Sequence, residues 1–592
     1  MIHFNKNNLD RTTSPYLQQH KENPIHWQEW SKEVLRYAKE NNKIIFVSVG
    51  YATCHWCHVM AMEAFSDRRI ADYLNEQFVS IKVDREQRPD IDNYMMSFLQ
   101  ETQGQGGWPL NVFLTPDGRP ILALTYMPIE PRYGMVGFFE LLHVVKENYD
   151  KYGREIQTYF PAIRAEEPVE EREVIRTITE NLSQGFGAQF PPHNTLLFLL
   201  HYYQKNKDEN IKQIIEKILD TMAMRGLHDH LQGGFYRYCV DASWTIPHFE
   251  KMLYDQAMML WVYSTAYKVL MKSEYKTIVE KIIVCLEQTY AHEGLYYAAH
   301  DADTGHQEGI TYVWTKGELQ KHLTQEEFNQ FARVYDLTEN FEENIHLIKK
   351  INVFLPNVEK KILGLRKKRK QPFTDLKIVT SWNALTGIGL IHAFRSLGDE
   401  ALKARAVILF KTLLEKHYHN GVLYHSSLNG EIQREEFLED YAASLLFATY
   451  LYEETNQHKE LVKEWCAAVH EFRNHYWAEN KSNDFTQVPA QTFDHPVPSS
   501  VSLAEMALWR AGIILNKEHL PQKYKPALAH DFFNLMVFAA QHWHIIHTPD
   551  RIQWEQLPVN CMQVYDTIIQ DCYKQRCLEF KKVAELLEFV KN

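Results

Sequence analysis

Lys43-Ile-Ile-Phe-Val-Ser-Val-Gly-Tyr-Ala-Thr-Cys-His-Trp-Cys-His58 is the stretch from which the fold is read. The β-branched apolar run Ile44 to Val49 predicts a buried strand, Gly50-Tyr51 a short turn, and Val59 to Asn75 a helical pattern. Cys54-x-x-Cys57 stands at the junction of strand and helix. There the unpaired amides and the positive end of the helix dipole favour a thiolate at Cys54. Cys57, one turn further on, is within reach to resolve a mixed disulfide.

The flanking segments extend this into an α/β unit over residues 1–165. Ser31 caps a short helix to Asn41 with Val34, Leu35 and Ala38 on one face. Phe78 to Val83 alternates as a second strand ending at Asp84, and Pro89 to Leu99 reads as a helix. Trp108-Pro109 precedes a third strand, Leu110 to Leu114, and a Pro-Asp-Gly turn at 116–118. This β-α-β-α-β order is a thioredoxin layout, and Pro109 is the candidate cis-proline behind the reactive pair.

Composition narrows the functional classes. The chain of 592 residues is too long for one core, and 45% hydrophobic with 24% charged residues is a globular balance. A net charge of -12, with Arg366-Lys-Lys-Arg-Lys370 as the one basic block, argues against nucleic-acid and anionic-membrane partners. No run approaches the ~20 apolar residues of a membrane span, and the N-terminus has no apolar signal core, so a cytoplasmic protein is expected. Eight cysteines in so long a chain are not a disulfide scaffold. His55 and His58 beside the two thiols leave a metal site as the alternative to redox chemistry, although four ligands within five residues close poorly into a tetrahedron. No metal and no cofactor is expected.

From 166 to 592 the pattern is all-α. Helical periods at Ile211–Met224, Tyr254–Tyr267, Ile278–Thr289, Trp382–Leu397 and Tyr441–Glu454 alternate with glycine-aromatic turns at Gly233, Gly294 and Gly421. The spacing of such turns, with Asn483-Asp-Phe485 as a further one, is about 60 residues, which fits repeated helix pairs. Closing about six pairs into a ring leaves a cleft at one end. Residues 311–372 are too long for a turn and predict an inserted lobe.

A set of motifs in order carries a family resemblance. These are Ser14-Pro-Tyr-Leu-Gln-Gln-His20, Asn23-Pro-Ile-His-Trp27, Cys54-His-Trp-Cys-His-Val-Met60, Val83-Asp-Arg-Glu-Gln-Arg-Pro-Asp-Ile-Asp92 and Gly104-Gln-Gly-Gly-Trp-Pro-Leu-Asn-Val-Phe-Leu-Thr-Pro116. Gly233-Gly-Phe-Tyr-Arg-Tyr238, Pro247-His-Phe-Glu-Lys-Met-Leu-Tyr-Asp-Gln-Ala257, Tyr312-Val-Trp-Thr315, Thr380-Ser-Trp-Asn383 and Leu438-Glu-Asp-Tyr-Ala442 continue it. The chain resembles the thioredoxin-domain family of spermatogenesis-associated protein 20. The resemblance implies a thioredoxin-like domain fused to an (α/α)6 barrel of the six-hairpin glycosidase kind, similar to N-acylglucosamine 2-epimerases, with no established substrate. The chain departs from the family pattern at Met60-Ala-Met-Glu-Ala-Phe65, at Ala123-Leu-Thr-Tyr-Met-Pro128, and at Pro498-Ser-Ser-Val-Ser502, where Val501 replaces an asparagine.

Candidate chemistry gathers beside the predicted turns of the ring. His248, Glu250, Asp255, Asp301, Asp303 and Asp440 supply acid, base and proton-shuttle groups. Tyr236, Arg237, Tyr254, Trp314, Trp382 and Asn383 are candidate substrate contacts, aromatic faces suiting the apolar side of a sugar. Each has a plainer reading as a helix cap or core residue. Three functions remain open: a thiol-disulfide oxidoreductase at Cys54, Cys57 and Pro109, with a protein thiol client or a small ligand; a sugar epimerase or hydrolase with a regulatory thioredoxin unit; or a non-catalytic ligand-binding scaffold. Cys572 and Cys577 match a family spacing and are a candidate redox partner for Cys54, while Cys239, Cys285, Cys466 and Cys561 read as core residues.

Overall fold

The computed structural model describes residues 3–132, 134–162, 167–184, 188–481, 484–516, 525–574 and 576–591. The domain boundary expected at 165/166 begins in a segment outside the described residues, as does Asn483 of the expected turn.

Five strands form the N-terminal sheet: β1 (Gln28–Glu29), β2 (Ile44–Gly50), β3 (Phe78–Asp84), β4 (Leu110–Leu114) and β5 (Pro120–Leu124), in the order β1-β3-β2-β4-β5. Strand β2 runs parallel to β3 and antiparallel to β4, and every residue of these three strands is buried. A strand covered on both faces has no polar side, which is why β2 reads as an unbroken apolar run. Ile44 and Phe46 enter one apolar cluster, and Ile45, Val47 and Val49 the other.

Helices α1 (Lys32–Glu40), α2 (His55–Met62), α3 (Arg68–Gln77), α4 (Pro89–Gln103) and α5 (Phe138–Tyr152) cover the faces. The pattern expected as one helix to Asn75 is two. Asp67 ends the continuity because its carboxylate accepts the amides of Arg69 and Ile70, capping α3 afresh. The Trp108–Pro109 bond is cis, as expected from the sequence.

Among the described residues eleven helices build the toroid: one at Glu171–Gln184, then α6 (His193–Asn206), α7 (Glu209–Met224), α8 (Leu253–Leu270), α9 (Ser273–Cys285), α10 (Thr380–Leu397), α11 (Glu400–His417), α12 (Leu438–Thr455), α13 (Lys459–His470), α14 (Ser500–Ile514) and α15 (Asp531–His542). Helix α6 packs on α8, α8 on α10, α10 on α12, α12 on α14, α14 on α15, and α15 back on α6, which closes an inner ring. Helices α7, α9, α11 and α13 lie outside it, against α6, α8, α10 and α12. Inner helices are apolar on all sides, as α8 shows with every residue from Leu253 to Ala266 buried, whereas α7 buries one stripe. The architecture is therefore an α/β thioredoxin-like domain followed by an (α/α)6 toroid.

Two regions depart from a plain ring. Helices at Lys316–His322, Gln325–Val334 and Pro356–Arg366 share an apolar core around Trp314, Phe331 and Ile362, inside the interval expected as a lobe. Arg366 fastens them to the toroid through both oxygens of Asp229, at 2.9 and 2.8 Å. The all-α expectation fails at the end of the chain, where Cys561–Tyr565, His544–Thr548, Gln570–Tyr573 and Arg576–Glu579 form a four-stranded sheet. His544-Ile-Ile-His-Thr548 is a short β-branched run without a clear period of two, which a search for helices passes over. Cys572 and Cys577 lie opposite each other in this sheet and are disulfide-bonded. Each pair is closed on itself, Cys54–Cys57 at the start of α2 and Cys572–Cys577 across two strands of this sheet. Among the described residues no helix is long and apolar enough to cross a membrane.

Candidate redox site at the seam of the two domains

Strand β2 delivers Gly50 to the edge of the site, and Cys54 follows as the N-cap of α2, its sulfur accepting the Cys57 amide at 3.2 Å. Cys54 and Cys57 are joined as a disulfide. A side chain at Gly50 would place its Cβ 2.7 Å from the Cys57 sulfur, so only glycine lets the strand pass so close behind the pair. The sulfurs do not face solvent: Cys54 is 3% and Cys57 1% exposed, while Trp56 between them is 53% exposed.

The cysteines lie in the N-terminal domain's own apolar cluster, and the toroid holds the residues around them. Thr53 donates to Glu250, and Tyr51 is hydrogen-bonded to Arg237, whose guanidinium also donates to Glu250 at 2.8 Å. Asp303 reaches out to both histidines of the cysteine motif, with His55 Nδ1 at 3.1 Å and His58 Nδ1 at 3.5 Å. The hydrogen bond to Asp303 raises the pKa of His55. Burial works against the charge of His58, but Asp303, Asp301 and the Ala52 carbonyl outweigh it and raise that pKa also. Asp303 is held well below the usual carboxylate range: burial opposes its charge, and the two histidines overcome it. Burial pushes Asp301 up to about 7.

A second set of contacts seats the N-terminal domain on the ring. Lys377, fully buried, donates to Asp84 at 3.0 Å and Asp375 at 2.7 Å, and its ammonium lies 2.9 Å from Glu86. Burial drives Glu86 up to about 7 despite the lysine. His425 donates to the Glu86 carbonyl at 2.7 Å and pairs with Asp440 at 2.8 Å; burial opposes its charge, yet Asp440 lifts its pKa to about 10. Arg88 meets both oxygens of Asp484, and Asn480 donates to Asp90.

The open cleft expected at the end of the ring is therefore occupied by the thioredoxin-like domain, and the candidate acids are interior groups. His248, Glu250, Arg237, Asp301 and Asp303 are brought together against the cysteine motif. Asp440 joins His425 and accepts the Ser381 amide at 3.0 Å, capping the neighbouring α10. Asn383 is spent on the backbone of Tyr296 and Val379, so its expected role as a ligand contact gives way to pinning a turn. Tyr236 packs edge to face against Phe249 and Tyr312, and Trp314 lies under Arg369 in the lobe core, so neither presents an open aromatic face. Tyr254 and Trp382 meet edge to face at 4.9 Å at the starts of α8 and α10. Asp255 sits deeper, fully buried, with neither carboxylate oxygen bonded to another protein group and His193 Nε2 3.9 Å away. Val501 is half-buried in the first turn of α14.

Lys377, His425, Thr53 and Glu308 also belong to this seam and His193 stands by Asp255, and no local motif marks any of them. Lys377 lies in Asp375-Leu-Lys377 between a basic run and a helix, which reads as a solvated loop. Its partner Asp84 is 293 residues away.

Comparison with known proteins agrees with this architecture. Residues 6–167 match the family model Thioredox_DsbH, described as a protein of unknown function, DUF255. The uncharacterised protein B0495.5 of Caenorhabditis elegans is 32% identical over 88% of this chain and 82% of its own length. Spermatogenesis-associated protein 20 of Rattus norvegicus is 31% identical over 79% of this chain and 69% of its own. The chain belongs to the spermatogenesis-associated protein 20 family. Among solved structures, a D-mannose isomerase covers 60% of this family member and 76% of its own chain at 11% identity and a TM-score of 0.40, too distant to support any inference about activity. For this spermatogenesis-associated protein 20 relative, the ring is established by its own helix packing, and the site by its own side chains.

Proposed function

We propose that Cys54 and Cys57 form a thiol-disulfide redox centre that works inside the seam, on a small thiol or disulfide admitted between the thioredoxin-like domain and the toroid. The observation that supports this reading is the placement of the pair. Both sulfurs are shut from solvent, and the neighbouring Thr53, His55 and His58 are held by toroid carboxylates, so a folded protein client meets the pair only when the seam opens. In the forward step a substrate thiolate attacks the Cys54 sulfur, the Cys54–Cys57 bond breaks, and Cys57 leaves as a thiolate and takes a proton. A second substrate thiol then releases substrate disulfide, leaving both cysteines as thiols, so two electrons pass from two thiols to the pair. The α2 dipole favours the thiolate in each step, and His55 and His58, whose pKa values are raised, add to this when protonated.

Equilibrating the whole protein in glutathione buffers, trapping thiols by alkylation and weighing the peptides tests this. A reversible two-electron transition between about -300 and -200 mV is expected, lost in Cys54→Ser. A pair that stays oxidised or stays reduced across that range contradicts the proposal.

A further inference from the structure

Where α2 meets the loop after Ala299–His300, four side chains converge that the redox step does not consume as reactants: His55, His58, Asp301 and Asp303. One ligand atom each from His58, Asp301 and Asp303 lies within 4.8 Å of the others. His55 Nδ1 stands 3.1 Å from both oxygens of Asp303, and His58 Nδ1 3.5 Å from one of them. The ring of His58 is aimed by its other nitrogen, which donates to the Ala52 carbonyl at 2.8 Å. With its proton kept on Nε2, a neutral His58 turns the Nδ1 lone pair toward the carboxylates. A backbone carbonyl holding the far nitrogen in this way is the usual support of a metal-binding histidine.

A lone pair facing a carboxylate needs a cation between them, either a proton or a metal ion. The His58–Asp303 spacing differs from that of histidine–carboxylate pairs elsewhere in the toroid. His248 Nδ1 is 2.6 Å from Glu308 and His425 Nδ1 is 2.8 Å from Asp440, the short contacts of charge-assisted hydrogen bonds. His58 Nδ1 stands 3.5 Å from Asp303. Ligands at about 2.0–2.1 Å from a tetrahedral zinc ion are roughly 3.3 Å apart. His55 is the most open member, at 27% exposure, and gives the site a side reached from solvent.

We propose that His58, Asp301 and Asp303 form a divalent-cation site of the zinc class at the seam, with His55 beside it and one coordination position open. The cation bridges a helix of the thioredoxin-like domain to a loop of the toroid. It uses no thiol, and it stands independently of the redox reading. The histidines shed protons to bind it, so affinity rises as pH rises from 6 to 8.

The test is titration of the full-length, disulfide-oxidised protein with Zn2+ against a chromophoric chelator, with Co2+ absorption as the spectroscopic readout. One ion per chain at micromolar or tighter dissociation is expected, with no sulfur-to-cobalt charge-transfer band. Asp303→Asn and His58→Gln should each weaken binding at least tenfold, while Cys54→Ser/Cys57→Ser binds as the parent does. Asp301→Asn serves if either variant fails to give the parent's circular dichroism. Absence of Zn2+ binding below about 100 μM, undiminished binding in all three ligand variants, or dependence on the two cysteines overturns the site.

Discussion

Lys377→Met should cost about 3–5 kcal/mol of stability at neutral pH, the largest loss expected from a single side chain in the seam. Its ammonium is the cation bonded to both Asp84 and Asp375, and Glu86 is at 2.9 Å, all four groups being almost wholly buried. Ser14 already donates to Asp84 at 2.5 Å and cannot neutralise it. Methionine keeps the volume but leaves three carboxylates together in a site without water-like screening. Those carboxylates would then be held more protonated in the fold than in the unfolded chain. The deficit of the variant is accordingly greatest at high pH and shrinks as pH falls from 7.5 toward 5. Thermal unfolding of parent and variant at both ends of that interval measures it. Glu86→Gln is the contrast: with its pKa at about 7, Glu86 is only partly ionised at neutral pH, and its loss should shift stability by no more than about 1 kcal/mol.

Asp303→Asn should open the route to the disulfide. The carboxylate ties α2 to the toroid through His55 and His58, bonds that count only while the rings are charged. Both histidines have pKa values raised in the fold, so their contribution is complete below the unfolded value of about 6.5 and is lost as pH rises through the raised values. With no metal ion bound, the two ion-pair contacts on partly exposed rings amount to about 1–2 kcal/mol after solvent screening. Reduction of Cys54–Cys57 by dithiothreitol should therefore run about 5- to 30-fold faster in Asp303→Asn than in the parent at pH 6, with the ratio falling toward one by pH 9. Taking the ratio at each pH removes the change in thiolate content of the reductant. A ratio near one at pH 6 would sink the latch.

The thioredoxin-like half was legible because its signals are local. A buried strand, a Cys-x-x-Cys at a helix start and a Trp-Pro before the next strand are each contained within a few residues, and all three stand in the structure. The one misreading there, a single helix across Glu63 to Asp67, came from weighting apolar period over the capping carboxylate of Asp67. The inner helices of the toroid were legible from their length and their lack of a polar face.

The seam was not legible. Glu250, Asp301 and Asp303 were recognised as acids at one end of the ring, yet nothing local says that Thr53, His55 and His58 will cover them. Such contacts join residues 197 to 248 positions apart and have no period along the chain. Asn383 and Trp314 failed as ligand candidates for a related reason. An amide or an indole beside a glycine turn satisfies a backbone group or fills a core as readily as it holds a substrate.

The most direct test of the central claim, that the redox pair is served through the seam, is a comparison of reductants by size. The initial rate of Cys54–Cys57 reduction is measured for the whole oxidised protein with dithiothreitol and with reduced thioredoxin, each scaled to its rate on an exposed model disulfide. The seam predicts that the scaled rate with the protein reductant falls at least tenfold below that with the small dithiol, and that Asp303→Asn narrows the gap at pH 6. Equal scaled rates in the parent would mean that the pair is open to protein partners, and the placement of the redox chemistry inside the seam would be wrong.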